Sequence, residues 1–121
     1  MKKLIFVRHG RAEDPSPEIS DFERSLTLKG KTISKLMARK LHEKENSPGI
    51  MITSPAFRAL ETAFIFAEEF GIEPEKIIIS SNLYYKMNFH YLPELLSLVS
   101  EDDDTITLFG INFVTTYTYL Q

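Results

Sequence analysis

In Leu4-Ile5-Phe6-Val7-Arg8-His9-Gly10, a short apolar, partly β-branched run stops at two basic side chains and a glycine. Such a run predicts a buried strand that leads into a glycine turn. In parallel sheets covered by helices, ligands bind beyond the carboxyl ends of the strands. Arg8 and His9 therefore stand where a binding or catalytic side chain is expected.

Two later segments show apolar residues at helical spacing. The first runs from residue 28 to about residue 45 behind an N-cap at Thr27, and its predicted apolar face consists of Ile33, Leu36, Met37 and Leu41. The second runs over residues 56–70 before a C-cap at Gly71. Its predicted apolar face consists of Ala59, Ala63, Phe66, Ala67 and Phe70.

Three further strands are predicted over residues 50–53, 76–80 and 105–109, and a short amphipathic helix over residues 93–99. This alternation of strands and helices predicts an α/β fold, a three-layer sandwich with a mainly parallel sheet and helices on both faces. Four strand ends would then meet at one mouth, namely residues 8–10, residues 54–58, the loop at Tyr84 and residues 110–112.

Length and composition limit the class of protein. The chain has 121 residues with 43% hydrophobic content, which predicts one domain over residues 1–121. The lack of cysteine excludes disulfides, zinc ribbons, iron–sulfur sites and a thiol nucleophile. No apolar run approaches the roughly 20 residues of a membrane span, and Arg8 interrupts the first apolar run too early for a signal peptide. We expect a cytoplasmic protein with no membrane partner.

Charge is distributed unevenly along the chain. The net charge of −3 argues against a nucleic-acid partner. Residues 1–60 carry 12 basic and 7 acidic side chains, whereas residues 61–121 carry 2 basic and 10 acidic ones. An anion site would therefore draw its cations from the first half, although differently solvated faces would give the same imbalance.

Two arginines and a histidine at the predicted mouth suit a phosphoryl group. The guanidinium groups of Arg8 and Arg58 can pair with its oxygens, and the imidazole of His9 can attack phosphorus. Gly10 would let the backbone approach a ligand closely. Spacing alone leaves an ordinary surface ion pair as the alternative.

The residues themselves resemble a known family. Residues 4–10 are similar to the opening signature of the histidine phosphatase (phosphoglycerate-mutase-like) superfamily, and in particular to its SixA-like protein-phosphohistidine phosphatase branch. Three further pieces resemble that branch in the same order. They are Asp-Phe-Glu-Arg-Ser-Leu-Thr at 21–27 with Gly30, Thr-Ser-Pro-Ala-Phe-Arg-Ala at 53–59 with Thr62 and Ala63, and Asn-Leu-Tyr at 82–84.

The resemblance implies a function for individual residues. It implies that His9 is the nucleophile that accepts the phosphoryl group, and that Arg8 and Arg58 hold its oxygens. Arg24 would be a third phosphate contact, and the implied substrate-binding set also contains Gly10, Ser54 and Asn112. The resemblance implies neither a metal nor a cofactor. The expected partner is phosphate, or a phosphorylated protein or small molecule.

One position departs from the pattern. The family has apolar-Gly-His-Asn where this chain has Phe109-Gly110-Ile111-Asn112, so Ile111 replaces a second histidine. Loss of one such donor typically costs about 100- to 1000-fold in rate. Smaller departures are Ser25, Glu61 and Phe113. The chain could be a weakened phosphatase or a non-catalytic phosphate-binding module, or it could be an active enzyme that recruits His90, Tyr84 or Tyr85 as the donor.

Other features leave alternatives open. Glu13 and Asp14 follow the nucleophile closely enough to protonate a leaving group, although a solvated loop is the preferred interpretation. A mutase is a third possibility, but the chain is short for the insertions that enclose sugar phosphates in the mutase branch of the family. Residues 113–121 are rich in Thr and Tyr and form a poor helix by propensity. Because members of the branch continue through a helix and another strand, we expect the domain to lack the C-terminal edge of the family.

Overall fold

A computed structural model describes residues 3–83, 104–110 and 118–119. The strands are β1 (Lys3–Arg8), β2 (Ile50–Thr53), β3 (Ile78–Ile79), β4 (Thr105–Gly110) and β5 (Thr118–Tyr119), and the helices are α1 (Leu28–Lys44) and α2 (Phe57–Phe70). Short 3-10 helices occur at Asp21–Glu23, Pro74–Lys76 and Ser81–Leu83. Within these described ranges, neither α-helix is long and apolar enough to cross a membrane.

The strands form one sheet in the order β3-β2-β4-β1-β5, in which only β5 is antiparallel to its neighbour. Arg8 is paired with Gly110 at the end of β1 and β4, and Thr53 is paired with Phe109 at the end of β2. The carboxyl ends of these three strands therefore lie side by side. The predicted α/β fold with a mainly parallel sheet is confirmed, as is the shared mouth for these strand ends.

Alternate residues of the strands form two separate apolar cores. Ile5 and Val7 pack with side chains of α1 and α2 on one face, where the ring of Phe66 meets that of Phe109 edge-on at 5.3 Å. Leu4 packs on the other face, in a cluster with Ile52, Leu83, Ile106 and Leu108. The helix predicted over residues 93–99 lies outside the described residues.

Both predicted caps are confirmed. The side chain of Thr27 accepts a hydrogen bond from the amide of Gly30 at 3.0 Å, which satisfies one of the free donors at the start of α1. Gly71 ends α2 in the left-handed region, with φ of 71°.

The predicted inward face of α1 is wrong in part. Ile33 and Leu36 are 42% and 51% exposed, whereas the buried positions of α1 are Gly30, Ser34, Ala38 and Leu41. Leu41 was predicted, whereas Gly30, Ser34 and Ala38 are small residues that let α1 approach its neighbours closely and that apolar periodicity does not detect. Two strand predictions also change. β3 is shorter than predicted because Pro74–Lys76 forms a 3-10 helix, and the strand β5 was not predicted.

Candidate functional site

A cleft of about 350 Å³ opens at the carboxyl end of β1. It is lined by Arg8, His9, Gly10, Arg11, Ala12 and Arg24. The strand ends here, where the buried residues of β1 are followed by exposed Arg8 and half-buried His9. Arg8 and His9, the two predicted functional side chains, therefore lie at the edge of the sheet, where solvent reaches them.

His9 is held in one orientation by the residue that follows it. Its Nδ1 lies 2.7 Å from the carbonyl oxygen of Gly10. A carbonyl oxygen only accepts hydrogen bonds, so Nδ1 must carry the proton in this arrangement. The lone pair of a neutral ring then resides on Nε2, which is the atom available to attack an electrophile.

The protonation state of His9 also leaves Nε2 available to attack an electrophile. Burial lowers the pKa of His9 below its ordinary value, and the charges of Arg58, Arg8 and Arg24 lower it further. The hydrogen bond to Gly10 acts in the opposite direction and is outweighed. His9 is therefore a neutral imidazole at physiological pH, surrounded by cations that would attract an anion.

Close glycine packing fixes the loop that carries His9. A Cβ atom on Gly10 would lie 2.7 Å from the carbonyl oxygen of Gly30, and one on Gly30 would lie 2.2 Å from that of Arg11. The same Arg11 carbonyl accepts a hydrogen bond from the amide of Thr27 at 2.8 Å. The start of α1 therefore packs directly on the loop after β1. The structure gives Gly10 a packing and orienting role, and its contact with a ligand stays a prediction.

Arg58 lies in the first turn of α2 and is 2% exposed. Its Nη1 donates to the carbonyl oxygen of Asp21 at 2.6 Å, and its Nη2 donates to Oδ2 of Asp21 at 2.9 Å. Its buried Nε has no hydrogen-bond partner among the described residues. A buried unpaired donor costs about 1–3 kcal/mol, so an anion oxygen that accepted from Nε would be bound favourably.

Ser54 helps to start the helix that carries Arg58. Its Oγ accepts a hydrogen bond from the amide of Ala56 at 3.2 Å, and its own amide donates to the carbonyl oxygen of Phe109 at 2.8 Å. Ser54 is fully buried and does not line the cleft. The described contacts give it a local structural role, and its binding of substrate stays a prediction.

Arg24 contacts the same aspartate as Arg58. Its Nε donates to Oδ1 of Asp21 at 3.1 Å, its Nη2 lies 2.9 Å from that oxygen, and its Nη1 donates to the carbonyl oxygen of Glu13 at 2.7 Å. The Glu13 carboxylate accepts from the amide of Ser25 at 3.0 Å, so this acid is used to hold the loop. A role for Glu13 or Asp14 in protonating a leaving group stays a prediction.

This arrangement can bind an anion and attack it. The charges of Arg8, Arg24 and Arg58 act on a neutral imidazole whose Nε2 carries a lone pair, although Arg58 is not among the residues that line the cleft. Phosphoryl transfer requires positioning and charge stabilisation more than other chemistry, and guanidinium groups supply both.

Comparison with known proteins identifies the family. Residues 4–83 match the model of the histidine phosphatase superfamily (branch 1). The chain belongs to this superfamily. A relative from Picosynechococcus sp., described as an uncharacterized protein, is 40% identical over 74 residues, which are 60% of this chain and 45% of that relative. The chain thus spans less than half the length of this curated relative.

Solved structures of the superfamily share the fold. The putative phosphohistidine phosphatase SixA from Agrobacterium tumefaciens is similar with a TM-score of 0.78 and 23% identity, over 92% of this chain and 70% of that one. A protein histidine phosphatase SixA complexed with tungstate gives a TM-score of 0.78 and 22% identity, over 91% and 69% of the two chains. The resemblance to SixA-like proteins expected from the sequence is confirmed for the fold.

Several predicted site residues lie outside the described residues. They are Ile111 and Asn112, together with the substitute donors Tyr84, Tyr85 and His90. His42, the remaining histidine of the chain, contacts Glu69 at 3.1 Å near the last turn of α1 and does not line the cleft.

Two residues of the site were missed by the sequence analysis. Asp21 contacts both Arg24 and Arg58, and Arg11 lines the cleft. The spacing of Asp21 and Arg24, three residues apart, is a recognisable signal for a local ion pair. No local signal connects Asp21 with Arg58, because 37 residues separate them.

Proposed function

We propose that this member of the histidine phosphatase superfamily is a phosphatase that transfers a phosphoryl group to His9 and then to water. The observation that carries the proposal is the His9 Nδ1 to Gly10 carbonyl contact of 2.7 Å, which leaves Nε2 free among the arginines. In the first step Nε2 forms a bond to phosphorus as the bond to the leaving group breaks. In the second step water breaks the phosphorus–Nε2 bond and releases phosphate.

We further propose a protein-borne phosphohistidine as the substrate. The open cleft beside exposed Arg8 would admit a phosphoryl group on a protein surface, and two similar structures are named as phosphohistidine or protein histidine phosphatases. A phosphohistidine ring that carries a proton on its other nitrogen leaves as neutral imidazole when the P–N bond breaks, so the reaction needs no strong general acid on the protein. A reaction without a general acid agrees with the cleft, because its charged lining residues are arginines.

Trapping the covalent intermediate tests the mechanism. The protein is mixed with a phosphohistidine peptide carrying ³²P, quenched in alkali after milliseconds and analysed for acid-labile label. We expect label on the wild type and on the control variant His42→Ala, and none on His9→Ala. Equal labelling of His9→Ala would overturn the proposal.

A second candidate is a phosphate-binding module without turnover. The observation in its favour is Ile111, because an isoleucine cannot donate a hydrogen bond to the transferring group. Steady-state hydrolysis separates the two candidates. If Ile111 limits the rate, Ile111→His should raise kcat by about 100-fold, the loss typical of one missing donor. Phosphate binding without hydrolysis in both proteins would favour the module.

Cytoplasmic location stays a prediction in either case.

A further inference from the structure

A single carboxylate joins Arg24, which lines the cleft, to the buried Arg58. Oδ1 of Asp21 is 2.9 Å from Nη2 of Arg24, and Oδ2 is 2.9 Å from Nη2 of Arg58. The backbone carbonyl of Asp21 also accepts from Nη1 of Arg58. One residue of a short 3-10 helix thus holds guanidinium groups from two different parts of the chain.

We propose that Asp21 is a positioning residue that holds Arg24 and Arg58 ready for an anion bound beside His9. The identity of that anion as a phosphoryl group rests on the proposed function. A free arginine side chain loses conformational entropy when it binds, and this cost falls if the side chain is already ordered. Asp21 supplies that order for two side chains at once.

The pattern of donors supports positioning rather than competition. Arg58 uses both of its terminal nitrogens on Asp21, and its buried Nε is the donor left unpaired among the described residues. An anion oxygen that reached Nε could accept from it while the Asp21 contacts stay in place. Arg8, at the cleft, makes no ion pair with any described residue. The anion can approach Arg8 without displacing a carboxylate.

Aromatic packing holds the Asp21 turn against α2. The ring of Phe22 meets the ring of Phe57 edge-on, with centroids 5.9 Å apart. Phe22 follows Asp21 and Phe57 precedes Arg58, so this contact brings the two partners of the ion pair together. The side chain of Asp21 is itself 52% exposed, and the ring contact supports a position that the ion pair alone would hold weakly.

The test compares Asp21→Ala and Asp21→Asn with Glu23→Gln. Glu23 lies in the same 3-10 helix, and its carboxylate accepts from Ser20 at 2.8 Å. Asp21→Asn and Glu23→Gln therefore remove the same charge from the same turn. Binding of inorganic phosphate is measured by NMR from the Nε–H signals of Arg24 and Arg58, and kcat and KM are measured with a phosphohistidine peptide.

We expect Asp21→Ala to weaken phosphate binding by about 10- to 100-fold, the effect of removing a hydrogen-bonded charge partner. Asp21→Asn should weaken it by less, and Glu23→Gln should leave it within about twofold. Phosphate that binds as tightly to both Asp21 variants as to the wild type, or more tightly, would overturn the proposal and make Asp21 a competitor. Thermal unfolding checks that each variant is folded, and if Asp21→Ala is not, Asp21→Asn decides.

The binding measurement also separates this inference from the proposed function. Wild type that binds phosphate but does not hydrolyse the peptide would refute the phosphatase, while the Asp21 variants would still decide the positioning role. Wild type that does not bind phosphate would overturn both.

Discussion

The two sides of the candidate site are constructed differently, and only one of them lines the cleft. Residues 8–10, which we call the nucleophile side, follow β1, and Arg8 is exposed while His9 is half-buried. Residues 54–58, the clamp side, lead from β2 into α2, and both Ser54 and Arg58 are buried. Backbone packing against Gly30 holds the first side, whereas the contacts to Asp21 hold the second.

Burial and exposure determine where each kind of interaction is effective. A charge pair 4 Å apart is worth about 1 kcal/mol in bulk water and about 4 kcal/mol at the lower effective dielectric near a protein surface. A buried arginine therefore contributes more to anion binding than an exposed one. The exposed side, in turn, is where a bulky substrate can enter.

Removal of one arginine from each side should have the largest effect on activity. We expect Arg58→Ala to lower kcat/KM by about 100- to 1000-fold, as for loss of a buried donor to the transition state. Arg8→Ala should cost less, about tenfold, because water screens an exposed charge. Steady-state kinetics with the phosphohistidine peptide measure both, with thermal unfolding as the check on folding. Equal losses would show that burial does not distinguish the two arginines.

The sequence predicted the strand ends well because the signal is local. An apolar run followed at once by polar residues and glycine marks the edge of a parallel sheet, as at Arg8 and again at Ser54. The His9 contact with the next carbonyl is also local. The resemblance to the superfamily added predicted roles for these residues, which spacing alone had left open.

The sequence could not predict which arginine is buried. The burial of Arg58 depends on Asp21, a partner 37 residues away in a loop that composition describes only as exposed. The inward face of α1 was mispredicted for a related reason. Periodicity selects large apolar residues such as Leu36, whereas the helix packs through Gly30, Ser34 and Ala38. Long-range contacts of small or polar residues leave no periodic signal.

The nucleophile side can be tested through its glycine packing. Gly30→Ala places a methyl group 2.2 Å from the carbonyl oxygen of Arg11, so we expect a loss of about 1–3 kcal/mol in the free energy of unfolding. Urea unfolding measures it, and kcat should fall as the His9 loop moves. Lys29→Ala, at the exposed neighbouring position, is the control. A stabilised Gly30→Ala would mean that the gain in helix propensity, up to about 1 kcal/mol, outweighs the clash.

The smallest expected effect concerns the protonation of His9. The folded protein lowers the pKa of His9 from 6.5, chiefly by burial, so below that pH the unfolded chain binds more protons than the folded one. The contribution of His9 to the free energy of unfolding is fully present above pH 6.5 and is lost as the pH falls through the pKa of His9 in the folded protein. The slope is at most about 1.4 kcal/mol per pH unit for one proton. His9→Asn should remove it, as measured by urea unfolding at several pH values. Parallel curves for wild type and variant would contradict this.

The pKa of His9 also distinguishes the two sides of the candidate site, because one arginine from each side acts on it. After burial, the charge of Arg58 lowers the pKa of His9 more than the charge of Arg8 does. Arg58→Ala should therefore move the pKa of His9 back toward 6.5 by more than Arg8→Ala does, as followed by NMR of the His9 ring. The opposite order would arise if the space left by Arg58 filled with water that stabilises the His9 imidazolium less well than the water beside Arg8 does. A buried clamp and an exposed entrance predict the first order, because screening weakens the exposed charge more.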